Sequence, residues 1–164
     1  MDGTLLGIYR DGDFIKNDYD DIDVGIPEKW NDKVPEIVDR LVEKGFSSLK
    51  EFSFEGKYRG ASMARGGNHV DFYFVHIKGK EAYNLGRNFL PGNKKPYRAY
   101  VYPAHCFKKF DTINFKGVEF NIPHKTEDYL KARYENWKKP CFRNEGYNWL
   151  DLKQNPGLRI NYEI

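Results

Sequence analysis

The stretch DYDDIDVGI, residues 18–26, places four carboxylates in six positions, then a run of aliphatics. In water such a cluster repels itself, so it needs a physical reason. On a β-strand, residues two apart point to the same face. Asp21 and Asp23 then project together, while Ile22 and Val24 enter the core behind them. Two hard oxygen ligands side by side on a rigid element suit a divalent cation. Gly25 is read as keeping that face open for a ligand. The bland alternative is a solvated acidic loop, and the flanking alternation weighs against it.

A third carboxylate lies downstream, in Val70-Asp-Phe-Tyr-Phe-Val75. An Asp inside an apolar strand is costly unless it is paired or holds a metal. The alternative is a strand-end residue capping a turn at Gly66-Gly67-Asn68. If the two strands are neighbours, Asp21, Asp23 and Asp71 converge. Three carboxylates carrying one or two Mg²⁺ ions suit phosphoryl or nucleotidyl transfer.

Upstream, Asp2-Gly-Thr-Leu-Leu-Gly7 resembles half of a phosphatase nucleophile loop. No earlier Asp supplies the nucleophile, so that reading fails and Asp2 is expected to be incidental. Asp11-Gly-Asp13 begins like a calcium loop. Ile15, Lys16 and Ile22 then stand where an oxygen ligand, a glycine and a glutamate are needed.

The remaining elements read more plainly. Val34, Ile37, Val38, Leu41 and Val42 give a helix over Asp32–Lys44, capped by Asn31 or Asp32 and ended by Gly45. Thr4–Tyr9 is a short helix or turn entered through Gly3. Val70–Ile77 is a strand, and Thr112–Ile122, broken at Lys116-Gly117, is a hairpin. A last helix runs from Thr126, its cap, to Trp137. Tyr134 and Trp137 are read as core rather than a base-stacking platform, and His69 as structural. Residues 140–164 are read as an irregular tail, and residues 1–164 as a single domain.

Composition bounds the class. The 164 residues are 40% hydrophobic, 16% aromatic and 31% charged, which is a globular balance. A net charge of +3 is too small to imply nucleic acid and mildly favours an anionic small substrate. No apolar run approaches the roughly 20 residues of a membrane span. With the first motif at Met1, no signal peptide is expected ahead of it. Cys106 and Cys141 have no metal spacing and read as reduced thiols, so a cytoplasmic protein is expected. Oligomeric state is left open.

Gly3-Thr-Leu-Leu-Gly7, Arg10, Phe14-Ile15, Asp21-Ile-Asp-Val-Gly25 and His69-Val-Asp-Phe-Tyr73 together resemble the LicD/fukutin family of phosphotransferases. Phe115–Pro123 and Tyr129–Tyr134 match the family's later hairpin and helix, so the resemblance spans about residues 3–140. It implies an α+β nucleotidyltransferase-like fold, a mixed sheet flanked by a few helices, here without the family's usual first helix. It also implies Mg²⁺ or Mn²⁺ on Asp21, Asp23 and Asp71 as catalytic ligands, with Asp18 or Asp20 filling an extra acidic position. The donor would be CDP-linked, carrying phosphocholine or a polyol phosphate, and the acceptor a sugar hydroxyl of a cell-surface glycan. The Gly3-Thr4 amides would hold phosphate oxygens, with Arg10, Lys125 and Arg133 as further phosphate contacts. Pairing of Arg10 with Asp11 or Asp13 is its alternative. Two other functions stay open: an NTP-dependent nucleotidyltransferase on a small acceptor, and a non-catalytic glycan- or partner-binding module.

Overall fold

A computed structural model describes residues 1–16, 18–54, 57–87, 97–134 and 136–140. Its elements run α1 (Asp2–Asp11), β1 (Asp21–Pro27), a 3-10 turn (Glu28–Lys33), α2 (Val34–Glu43), β2 (Ser47–Phe54), β3 (Lys57–Arg65) and β4 (Asn68–Lys78). There follow β5 (Glu81–Arg87), β6 (Tyr97–Pro103), α3 (His105–Lys108), β7 (Phe110–Phe115), β8 (Val118–Pro123) and α4 (Thr126–Arg133). The fold is mixed α+β. Strands β2-β3-β4-β5-β6 are joined antiparallel in that order, and β1 lies parallel to β4. The hairpin β7–β8 forms a separate two-stranded sheet.

β4 organises the molecule because its two faces carry different residues. Phe72 and Phe74 pack with Ile26, Val34, Ala61 and Met63, under the apolar stripe Ile37, Val38 and Leu41 of α2. On the other face Val75 joins Leu5, Leu6, Ile15, Ala82, Tyr102, Tyr129 and Leu130, the core shared by α1 and α4. Asp71 and Tyr73 share the Val75 face by alternation. The carboxylates therefore belong to the side on which α1 sits.

Glycines set the turns where φ must be positive. Gly66 (φ 58°) and Gly67 (φ 86°) reverse β3 into β4. Lys116 (φ 52°) and Gly117 (φ 82°) make the two-residue turn of the β7–β8 hairpin, where the sequence broke. Gly45 (φ 84°) ends α2 as expected.

Several boundaries differ from expectation. The stretch before Val34 is a 3-10 turn, because Pro35 occupies the first turn of α2. Asn31 does not cap that helix. Its side chain donates to Tyr58 O (2.7 Å) and accepts from Tyr58 N (3.2 Å), pinning the turn to β3. α4 stops at Arg133, where Tyr134 turns extended, and Thr126 is not its cap. The Thr126 hydroxyl donates back to Pro123 O at 2.7 Å. Tyr134 and Trp137 still pack against the core. The expected irregular tail lies outside the described residues beyond Pro140, as does Cys141, while Cys106 is a buried free thiol. No helix among the described residues is long and apolar enough to cross a membrane.

Candidate functional site

The register of β1 on β4 sets Asp23 opposite Asp71 and Asp21 opposite His69. With all three aspartates on one face, one carboxylate oxygen from each of Asp21, Asp23 and Asp71 falls within 4.8 Å of the others. This is the convergence expected from the two alternations. His69 enters it only electrostatically. Its side chain is exposed, and its amide donates to Asp20 O at 2.6 Å to start the parallel ladder.

The edge of β1 away from β4 is covered by the start of α1. Thr4 Oγ1 accepts from Asp23 N (2.8 Å) and donates to Asp21 O (3.4 Å), and the Met1 amino group donates to Asp23 O. Helix α1 thus substitutes for a neighbouring strand and satisfies backbone groups an edge would leave exposed. It also brings its N-terminus against the carboxylates. That end carries partial positive charge and amides without intrahelical acceptors.

Gly3 allows this approach to be close. A Cβ there would lie 2.8 Å from Asp18 Oδ2 and 3.9 Å from Asp23 Oδ2. The same observation brings Asp18, rather than the exposed Asp20, to the edge of the triad. Gly25 also permits a close approach, but of a different kind from the one expected. A Cβ there would meet Met1 Sδ at 2.0 Å, so the Met1 side chain covers the face that was to lie open to a ligand.

The electrostatics are those of an anion-rich, partly dry site. Burial first, then the charge of Asp2 and those of Asp21 and Asp71, push the Asp23 carboxyl up to about 8. Asp21 is raised by burial, then by Asp71 and Asp18, and Asp18 by burial and then Asp20. Asp71 is held by hydrogen bonds: Ser62 Oγ donates to Oδ1, and the Tyr73 hydroxyl lies 3.5 Å from Oδ2. Asp21 Oδ1 is buried and accepts no hydrogen bond among the described residues. Raised carboxylates, an orphaned buried oxygen and three oxygens within one ion's span all fit a hard divalent cation.

The three expected phosphate contacts are placed elsewhere. Arg10 forks onto its neighbour Asp11 (2.8 and 2.6 Å) and donates to Trp137 O, seven residues and so about 10 Å along the helix from Gly3. This is the alternative pairing. Lys125 is exposed, and its left-handed backbone (φ 51°) donates to Asp111 Oδ2 at 3.1 Å. Arg133 is 4% exposed and committed to Asp2, with Nε 3.0 Å from Oδ1.

Asp2 is the residue the sequence reading undervalued. It is buried, and burial alone would raise its pKa. The Arg133 guanidinium and the Tyr129 hydroxyl at 2.7 Å hold it below the usual carboxylate range instead. Only its charge, shortly before the apolar Leu5, Leu6 and Ile8, hinted that it needs a partner.

Over 147 residues, 88% of the chain, the sequence is 25% identical to a glutamyl-tRNA(Gln) amidotransferase subunit of Natranaerobius thermophilus. The chain spans 24% of that protein's length. The family described as LicD/FKTN/FKRP, nucleotidyltransferase domain, matches residues 1–125, which hold α1, the carboxylate triad and the β7–β8 hairpin. The match covers most of the chain. The protein belongs to the LicD/FKTN/FKRP family.

Proposed function

We propose that the protein transfers a phospho-alcohol, of the phosphocholine or polyol-phosphate kind, from a CDP-linked donor to a sugar hydroxyl of a glycan. The observation that carries this is the meeting of Asp21, Asp23 and Asp71 beneath the N-terminus of α1. Carboxylates alone would repel a diphosphate. Carboxylates holding Mg²⁺ or Mn²⁺, beside free helix amides, form a site for one.

When bound, the cation would neutralise the diphosphate and the departing nucleotide. The protein's own groups do the rest. The first-turn amides around Gly3 and Thr4 face the donor's phosphate oxygens. Thr4 fixes the backbone of Asp21 and Asp23, so the carboxylates keep one geometry. Ser62 and Tyr73 orient Asp71. The acceptor hydroxyl oxygen bonds to the phosphorus of the phospho-alcohol, the bond from that phosphorus to the CMP oxygen breaks, and CMP leaves. The hydroxyl proton passes to an Asp71 oxygen or to solvent.

Calorimetry with CDP, UDP, ADP and GDP, with and without Mg²⁺, tests this reading. CDP is expected to bind most tightly, and only with metal. A site built on hydrogen bonds to one base rejects others by leaving its own polar groups unpaired. Equal affinities would discard the cytidine donor and favour an NTP-dependent nucleotidyltransferase. No nucleotide binding would leave the non-catalytic glycan- or partner-binding module.

The raised carboxyl of Asp23 makes a second prediction. A protonated ligand must lose its proton before it takes a metal. With its metal-free pKa at about 8, Asp23 holds a proton over most of the range below that, so metal affinity rises with pH up to about 8. One displaced proton gives roughly tenfold per pH unit well below that value and less as it is reached, so about fiftyfold between pH 6 and 8. The raised Asp21 and Asp18 act in the same direction. Mn²⁺ titration across that range should also show proton release. A flat affinity would remove Asp23 from the metal.

A further inference from the structure

We infer that Asp2 and Arg133 form a latch that positions the phosphate-facing turn of α1, making Asp2 a positioning residue of the transfer site. The latch joins three elements distant in sequence. Asp2 Oδ1 accepts from Arg133 Nε (3.0 Å) and from the Tyr129 hydroxyl (2.7 Å), both on α4. The Tyr102 hydroxyl of β6 lies 3.5 Å from the same oxygen. The Asp2 amide in turn donates to Tyr129 Oη at 3.1 Å. Asp2 is 7% exposed and Arg133 4%, and the guanidinium lies 4.4 Å over the Tyr100 ring.

Both the backbone and the side chain of Asp2 are therefore fixed, in a left-handed conformation (φ 45°) that a non-glycine residue adopts at a cost. The next two residues are those that meet the triad. Gly3 lies under Asp18, and Thr4 holds the backbone of Asp21 and Asp23. A shift at Asp2 is thus passed within one helical turn to the amides that face the donor.

Stability alone does not explain an ion pair here. Burying two charges costs about as much as their attraction returns, and apolar residues of the same volume usually serve stability as well or better. What a buried pair supplies is one geometry, since the Asp2 carboxylate is satisfied in one arrangement of α1 on α4.

The effect on donor binding rests on the proposed transfer reading, whereas the effect on geometry does not. The test therefore uses two readouts on Asp2→Asn and on the milder Arg133→Lys, which keeps the charge and loses the Nε–H donor. Hydrogen exchange at the Asp23 amide, whose acceptor is Thr4 Oγ1, is expected to quicken at least tenfold while amides of β3 change less than twofold. In parallel, the Kd for CDP in saturating Mg²⁺ is expected to rise at least tenfold in both variants. If Asp2→Asn does not fold, Arg133→Lys alone decides. Unchanged Asp23 exchange in a folded variant overturns the latch, and so does exchange that quickens equally throughout the sheet. If the unaltered protein binds no nucleotide, the transfer reading fails, and local exchange at Asp23 still decides whether the latch positions α1.

Discussion

Asp23→Asn is expected to lower transfer activity about a thousandfold while raising the melting temperature of the metal-free protein. The two effects share one cause. Asp23 is half-buried beside Asp2, Asp21 and Asp71, and its carboxyl is pushed up to about 8. A neutral amide removes that conflict, so the metal-free fold gains. The same change removes a hard anionic ligand from the site proposed to hold the cation. A metal's charge stabilisation is worth several kcal/mol, and about 4 kcal/mol corresponds to a thousandfold in rate. Donor turnover and a thermal melt in chelator check both halves. A melting temperature that falls together with activity would make Asp23 a structural residue. Activity within tenfold of the unaltered protein would remove it from the chemistry.

Gly7→Ala is expected to destabilise the fold by about 3 kcal/mol, the order of an overpacked core position. In an isolated helix this change would stabilise by about 1 kcal/mol, because alanine is the better helix former. Here the sign reverses. A Cβ on Gly7 would lie 2.6 Å from Asp13 O, 2.7 Å from Ile15 N and 3.0 Å from Phe14 C. All three are backbone atoms of the segment that returns from α1 and seats Ile15 in the core. Backbone has no rotamer by which to step aside. Gly25→Ala offers the contrast. Its Cβ would come closer, 2.0 Å, but to the sulfur of the flexible Met1 side chain, which can swing away. Urea melts of the two variants should therefore rank Gly7→Ala as much the more damaging. A loss under about 1 kcal/mol at Gly7 would mean that the 13–15 segment can move off the helix. Because that segment leads into the Asp18–Asp23 run, a folded Gly7→Ala protein should also bind Mn²⁺ more weakly.

The triad was legible in the sequence because alternation is a local rule. Asp21 and Asp23 are two apart, Asp71 lies among apolar residues, and each strand's facing follows from its own pattern. The β7–β8 hairpin and the end of α2 were legible for a similar reason, since Lys116-Gly117 and Gly45 satisfy backbone needs that any fold would impose. Strands β2, β5 and β6 were not. β2 carries exposed Ser47, Ser48 and Leu49 with no clean apolar face, and β5 buries Asn84 completely. Neither shows the period-2 signal that burial on one side produces.

The tertiary structure alone decided where these charges go. Arg10, Lys125 and Arg133 are all suitable phosphate ligands by chemistry, and nothing in their neighbourhoods in sequence separates them. Packing sends Arg133 inward to a carboxylate 131 positions away and leaves Arg10 on the residue beside it. The same holds for Asp2. Its motif identified it only by what it was not, and its role depends on α4 folding back over the start of α1. Local periodicity tells which way a side chain faces on its own element. Which distant group it then meets is fixed by how the elements pack, and a long-range pair such as Asp2 and Arg133 leaves no periodic trace in the chain.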